Sequence, residues 1–465
     1  MDSAGLIAKV KIEGTLRLDS PLLIGDGYGS EGHSNEADIH VLKDKEGRPF
    51  IPATSLAGVI RSRFGEIHPE DKDLTGLLFG EIKGKGRAKS AIQSAVSFYD
   101  VLLNDAVIIV RDGVGIDDET GVGKEGAKYD YEAVERGACG IFHAGLTIRR
   151  FHRDRLPDWR SLVKELADLI ASGFSVGALT AKGFGKVSVR DVKSYVYDFS
   201  RPADVGSWLL GKNSDEVYEG NPEGSAPRGR LVVDGDFAIL HSLIVRDRDV
   251  DDKKTMSDEV NLNAAQMMSG DSYVIPGTTM KGVLRHRSRR ILDVLGIGDD
   301  FLDELMGSAA EGKKKKSRFL VDEVYFRDGV IPALQSRNRI DRFTGGTMDS
   351  ALFTEEPVWQ KEPDKPVLHI HYEILKNPDG EATAKAEAEA GLALFLLKDL
   401  WTGHLAVGGE KSIGRGMLSG VSAVIFYHGK KYRIEGKGKV TEGNAEELEA
   451  CAKALVDYGK EAHEA

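Results

Sequence analysis

Two short stretches of this chain combine hydroxyls, glycine and base in a pattern suited to phosphate. Residues 51–64 read IPATSLAGVIRSRF and residues 275–288 read IPGTTMKGVLRHRS. In each, the proline disfavours helix in the residue before it, and the hydroxyl pair that follows offers N-cap oxygens. A helix starting there presents unbonded N–H groups beside Thr54 and Ser55, or Thr278 and Thr279, with Arg61, or Lys281 and Arg285, further along. That combination suits a nucleic-acid backbone and reads no base identity. Two glycine loops add backbone that can approach a phosphate closely: Lys182, Gly183 and Gly185 in KGFGKV, and Gly414, Arg415 and Gly416 in SIGRGM. The second loop is no nucleotide-triphosphate loop, because Gly414 leads into Arg415 and the loop follows a helix. GDGYG at 25–29 opens into a polar loop rather than a helix, which excludes a dinucleotide turn.

The acids and histidines are sparser. His33 and His40 share a loop with Asp38, an arrangement in which a solvated histidine or a general base is conceivable. Asp247, Asp249, Asp251 and Asp258 have part of a calcium-loop spacing, but Asp252 stands where the loop needs glycine. No Ser/His/Asp or Cys/His arrangement stands out. Cys139 and Cys451 are the only cysteines, too few for a disulfide framework or a zinc site.

The elements that must carry these residues occur twice. LLFG at 77–80 is echoed by ELMG at 304–307. Ile116-Asp117 with Thr120-Gly121 is echoed by Ile340-Asp341 with Thr344-Gly345, and VGALTAKGFGKV at 176–187 by VGGEKSIGRGML at 407–418. Anchors in one order imply a duplicated domain. We expect a first domain over 1–200, a linker over 201–227, a second domain over 228–440 and a C-terminal docking helix over 441–465. That helix would use Leu448, Cys451, Ala452, Leu455 and Val456. Each half reads strand, helix, charged Gly-rich insertion (111–140 and 336–360), helix, Gly loop, strand. The order is that of an α+β, ferredoxin-like unit with insertions.

At 465 residues, 41% hydrophobic and 29% charged, the chain has material for two cores. Its net charge of −11 opposes a nonspecific nucleic-acid coat. Basic stripes such as KGVLRHRSRR at 281–290 instead point to a confined anionic ligand or to solvated helix faces. KKKK at 313–316 reads as a solvated loop. No apolar run approaches a signal peptide or a membrane span, so the expectation is a soluble, cytoplasmic protein.

The motif IPGTTMKGVLR, the hydrophobic-x-Gly step after it and the late Gly loop together resemble the RAMP superfamily of CRISPR-associated proteins. IPATSLAGVIR departs from the pattern at Ala53 and Ala57. The resemblance covers nearly the whole chain twice and is similar to the fused double-backbone subunit of a type III-D effector complex. It implies two tandem modified-RRM, ferredoxin-like domains whose insertions are thumb hairpins that displace bases in a guide–target duplex. It implies as partners a guide crRNA, a single-stranded target RNA and other subunits of a type III complex. It also implies target-RNA cleavage by an Asp in the loop before each Ile-Pro step, with a divalent ion, Mg2+, as cofactor. Asp38 fits that place. In the second half, simple spacing lands near Asn261, and Asp258 is the nearest acid. Asp38 and Asp258 are thus the catalytic and metal-binding candidates of an endoribonuclease. A non-catalytic scaffold and a guide-processing ribonuclease are the alternatives.

Overall fold

The computed structural model describes all residues except 1–4, 28–36, 84–89, 118–119, 154–155, 157, 225–228, 248–261, 310–311, 313, 378–379, 381 and 465. His33, Asp249, Asp251, Asp258 and Asn261 therefore lie outside the described residues. The chain divides into two compact units. One comprises Met1–Arg111, Tyr129–Thr180 and Phe184–Pro227; the other comprises Asp112–Lys128, Ala181–Gly183 and Arg228–Ala465.

In the first half, alternation along β1 (Leu6–Leu18) puts Ala8, Val10, Ile12 and Leu16 on a buried face. After β1 come α1 (Ala53–Ile67), α2 (Lys72–Phe79), β2 (Val96–Phe98), a hairpin of β3 (Ile108–Ile116) and β4 (Gly123–Val134), and β5 (Cys139–Arg149). The half closes with α3 (Trp159–Ala171) and β6 (Lys186–Asp198). The sheet runs β6-β1-β5-β2, all antiparallel, with β1 central. Leu56, Ile60 and Phe64 of α1 and Val163, Leu166 and Ile170 of α3 cover its buried face. Asp71 and Asp158 cap α2 and α3 by accepting from Leu74 N and Ser161 N.

The second half repeats this plan with β7 (Gly229–Ile239), α4 (Gly277–Val294), α5 (Asp299–Met306), β8 (Phe319–Val321), a hairpin of β9 (Gln335–Ile340) and β10 (Thr347–Glu356), β11 (Leu368–Leu375), α6 (Thr383–Trp401) and β12 (Leu418–Tyr427). Its sheet runs β8-β11-β7-β12, again with the first strand central, and two short strands extend the β12 edge. Both halves are thus ferredoxin-like, α+β, with a hairpin inserted between the second and third sheet strands. Each hairpin tip is the same Asx turn. Asp117 Oδ1 accepts from Thr120 N and Oγ1, and Asp341 Oδ1 accepts from Thr344 N and Oγ1.

Two segments carry more structure than their composition suggests. Residues 201–227 are not bare linker: they hold a helix, Pro202–Leu209, and a strand, Glu216–Glu219, that pairs with β6. The last helix, α7 (Ala445–Glu464), buries Leu448, Cys451 and Leu455 in the second core. It passes so close to α6 that a Cβ on Gly391 would lie 2.2 Å from Cys451 O.

Candidate nucleic-acid interface

The loop before the first Ile-Pro step is laid against hairpin strand β4. Asp38 N donates to Asp130 O and Asp38 Oδ2 accepts from Asp130 N, both at 2.9 Å, and Ile39 forms a parallel bridge with Tyr131. Asp38 is exposed. Two residues on, Glu132 accepts from Val41 N at 2.9 Å and pairs with Lys43 at 3.3 Å. Burial alone would raise the Glu132 pKa, but these contacts outweigh it and hold the carboxyl below its ordinary value.

The second half builds the same joint from a different residue. Asn263 N donates to Thr354 O and Thr354 N donates to Asn263 Oδ1, both at 2.8 Å; Ala264 then pairs in parallel with Glu355. Asn263 therefore occupies the place of Asp38. It lies one residue closer to its proline, because the turn at Gly270 is shorter than the one at Gly47. With that single deletion, the spacing of Asp38 from Pro52 carried back from Pro276 falls on Leu262, so the counterpart of Asp38 is the adjacent Asn263 rather than Asn261 or Asp258. The joint needs only a side-chain oxygen acceptor, which an amide supplies as well as a carboxylate. The negative charge of Asp38 is therefore surplus to the fold.

The glycine loops repeat backbone torsion by torsion. Gly177, Leu179, Gly183 and Gly185 have φ of 88°, 57°, 83° and 69°; Gly408, Glu410, Gly414 and Gly416 have 91°, 56°, 86° and 78°. A Cβ on Gly185 would lie 1.8 Å from Val176 O, and one on Gly416 would lie 1.9 Å from Val407 O. Their N–H groups donate inward, to Pro21 O and Ser242 O. Gly185 and Gly416 thus lock the loop shape and offer no N–H to a phosphate. Replacing either with alanine is expected to lower stability by more than about 2 kcal/mol in denaturant titration, since backbone must move and φ is left-handed.

Between these glycines the loops differ in chemistry. Phe184 is fully buried against Tyr131, 5.9 Å between ring centroids, with the Arg111 guanidinium 5.3 Å from its ring. At the matching place Arg415 is 3% exposed, donates to Gln335 Oε1 at 2.7 Å and pairs with Glu410 at 2.9 Å and Glu355 at 3.3 Å. Arg337 bonds the same two carboxylates. Tyr131 and Leu179 of the apolar joint correspond to Glu355 and Glu410 of the ionic one, so one hairpin is anchored by aromatic packing and the other by ion pairs.

The basic candidates in the Ile-Pro motifs serve the fold. Arg61 Nη1 donates to Gly80 O at 2.9 Å and Arg285 Nη1 to Gly307 O at 2.8 Å; each clamps the C-terminal end of the following short helix. Arg285 also bonds Asp303 at 2.7 Å. Lys281, 5% exposed, donates to Ser317 Oγ at 2.6 Å and Phe319 O at 2.7 Å. Lys281 and Arg415 are therefore corrected from phosphate ligands to buried internal donors. At the start of α1, Asp100 Oδ1 accepts from Ala53 N at 2.7 Å, so a carboxylate already occupies that helix terminus. Thr54 is exposed, while Ser55, Thr278, Thr279 and Lys182 are half-buried; burial lowers the Lys182 pKa.

Burial lowers the Lys281 pKa to about 7. The unfolded chain binds this proton more tightly than the folded one, so the group's contribution to stability rises with pH between about 7 and 10. From pH 7 to 9 we expect wild type to gain on the order of 2 kcal/mol relative to Lys281→Met, measured by urea unfolding. Equal slopes for the two proteins would contradict the burial of a titrating ammonium.

The open face of the second sheet carries acid–imidazole pairs, Asp234 with His371 at 2.8 Å and Asp236 with His369 at 2.9 Å. Both imidazoles hold Asp234 well below the usual carboxylate range against the effect of burial. Among the described residues, no group of three or more His, Cys, Asp or Glu is placed to hold a metal, and no helix is long and apolar enough to cross a membrane.

No curated protein matches the chain. A family model described as RAMP superfamily matches residues 15–188 and again residues 239–419. Each match begins in a central strand and ends in the strand beyond a glycine loop, so the chain belongs to the RAMP superfamily and carries its domain twice.

Proposed function

We propose that this protein is the fused double-backbone subunit of a type III CRISPR effector complex, cytoplasmic, holding a guide crRNA and cutting single-stranded target RNA from its first domain. The observation that carries the cleavage reading is the pair Asp38 and Asn263. Both make the same backbone joint, but only the first adds an exposed charge beside a hairpin strand. The second domain then acts in holding and spacing. Phe343, at the tip of its hairpin, is wholly exposed and suits a wedge between stacked bases.

Cleavage through an adjacent 2′-hydroxyl needs in-line attack, which A-form stacking prevents. A hairpin that unstacks a nucleotide beside Asp38 removes that obstacle. The Asp130 N–H orients the Asp38 carboxylate through Oδ2. Asp38 is the residue that would hold a hydrated Mg2+, an ion that keeps most of its waters and takes only one or two carboxylates. Such an ion would supply neutralisation of charge developing on the phosphate.

Guide holding is assigned first to Thr278, Thr279 and Lys182, which keep surface and are not spent on a helix-end carbonyl as Arg61 and Arg285 are. Thr54 and Ser55 share their helix terminus with the Asp100 carboxylate and contribute less. An acid at Thr278 or Thr279 favours the helix terminus but repels phosphate. The double variant Thr278→Glu/Thr279→Glu is therefore expected to fold at least as stably as wild type. Its assembled complex should show a lower 260/280 nm absorbance ratio, and an unchanged ratio would remove α4 from the guide path. In the scaffold alternative, Asp38→Asn leaves target cleavage intact; in the guide-processing alternative, the isolated protein cuts precursor RNA.

A further inference from the structure

The two halves differ at one place in a way that leaves a pocket. In the second half, Lys281 reaches from α4 to Ser317 Oγ and Phe319 O. Ser317 itself donates to Phe319 O at 2.8 Å and Leu305 O at 3.4 Å. Lys281 also donates to Ala181 O at 3.2 Å. Of the remaining parts, the first half reproduces the serine, its two carbonyl acceptors and the arginine clamp, but not the lysine. Ser94 donates to Val96 O at 2.6 Å and Leu78 O at 3.1 Å, and Arg61 clamps Gly80 as Arg285 clamps Gly307. Where Lys281 would project, the first half has Ala57.

The truncation leaves a cavity of about 200 Å³ lined by Ala57, Gly58, Arg61, Phe79, Ser94, Val96 and Phe98. Its wall joins an apolar channel of Phe79, Val96 and Phe98 to Ser94. Gly58 is exposed, and a Cβ there would meet nothing within 4 Å, so the pocket has an open side. An alkyl stem along the aromatics with a terminal N–H donor at Ser94 Oγ and Val96 O matches each surface. An anion would find Arg61 already committed to Gly80 O and carbonyl and hydroxyl oxygens opposite.

We propose that this cavity is a socket for a lysine side chain presented by a partner chain, which takes the place that Lys281 fills from within in the second half. Arg285 stands beside Lys281 without displacing it, so Arg61 does not bar a second cation. The open side lets the guest ammonium keep part of its hydration, which lowers the cost of docking. The inference is independent of RNA cleavage, since Asp38 is no part of the socket.

The probe is n-butylammonium, a lysine side chain without its backbone, titrated into the full chain and followed by the amide resonances of Gly58 and Val96. Saturable shifts are expected, with 1-butanol and butyrate binding at least tenfold more weakly. Ala57→Lys fills the socket from within, and Gly58→Leu shades its mouth on an exposed helix face; each should weaken the response at least tenfold. If Ala57→Lys fails to fold, Gly58→Leu still decides. Absence of saturation, equal binding of butanol, stronger binding of butyrate, or an undiminished response in Gly58→Leu would each overturn the proposal.

Discussion

Asp38→Asn is expected to lower target-RNA cleavage by the assembled complex by at least about a hundredfold, the scale of losing a charged group that acts at the reacting phosphate. The substitution should leave melting temperature and RNA content unchanged. The second half has already performed the control: Asn263 sustains the same two hydrogen bonds to its hairpin strand as Asp38 does. An asparagine at 38 therefore removes charge and retains the joint. Alanine would be less informative, since it also unties the loop and leaves the Asp130 N–H without its acceptor. A variant that loses cleavage together with assembly would point to a structural role instead.

Arg415→Ala is expected to destabilise the second domain by about 3–5 kcal/mol, because it leaves the Glu355 and Glu410 carboxylates with half of their cationic partners in a buried joint. Glu355 is 5% exposed and cannot turn to water without unseating β10. At the matching place Phe184→Ala should cost a similar amount, about 3–5 kcal/mol, from lost packing and a cavity. The two losses differ in their response to acid. Protonating the carboxylates relieves the charge that Arg415→Ala strands, so its deficit shrinks as pH falls below about 5. The deficit of Phe184→Ala does not. Urea unfolding at pH 7 and pH 4.5 separates them, and a pH-independent Arg415→Ala deficit would contradict the ionic anchor.

Much of this architecture is legible in the sequence because it rests on backbone requirements that leave few residue choices. The Ile-Pro steps mark helix starts, and the paired Asp-x-x-Thr-Gly and glycine-loop anchors mark the duplication, although Gly185 and Gly416, read from sequence as backbone open to phosphate, pack on Val176 O and Val407 O instead. The resemblance to the RAMP superfamily follows from the Ile-Pro motifs, the hydrophobic-x-Gly steps and the glycine loops. Side-chain destinations are less legible. Arg61 and Arg285 read as surface bases on helical faces, yet their targets are the carbonyls of Gly80 and Gly307, brought near only by the turn after each short helix. Lys281 sits on a face whose neighbours, Ser317 and Phe319, arrive from a distant strand.

The counterpart of Asp38 in the second half is hidden for a different reason. The counting frame runs through a turn that is one residue shorter, and no nearby motif resets it. A signal was available on the other side, in the hairpin. Aligning the Asp-x-x-Thr-Gly tips equates Asp130 with Thr354 and so leads to the residue that bonds Thr354. The aromatic-for-ionic exchange at Phe184 and Arg415 hides likewise, since the two residue types share no chemistry and meet only in their burial.

The central claim is that one of two homologous domains carries the cutting charge. Mapping the fragment ends of a labelled target RNA cut by the assembled complex tests it most directly, with wild type, Asp38→Asn and Asn263→Asp compared in parallel. The account predicts that Asp38→Asn removes every end produced by this subunit, while Asn263→Asp leaves the wild-type ends in place. Ends that persist in Asp38→Asn, with this subunit as the sole source of cleavage in the complex, would contradict it.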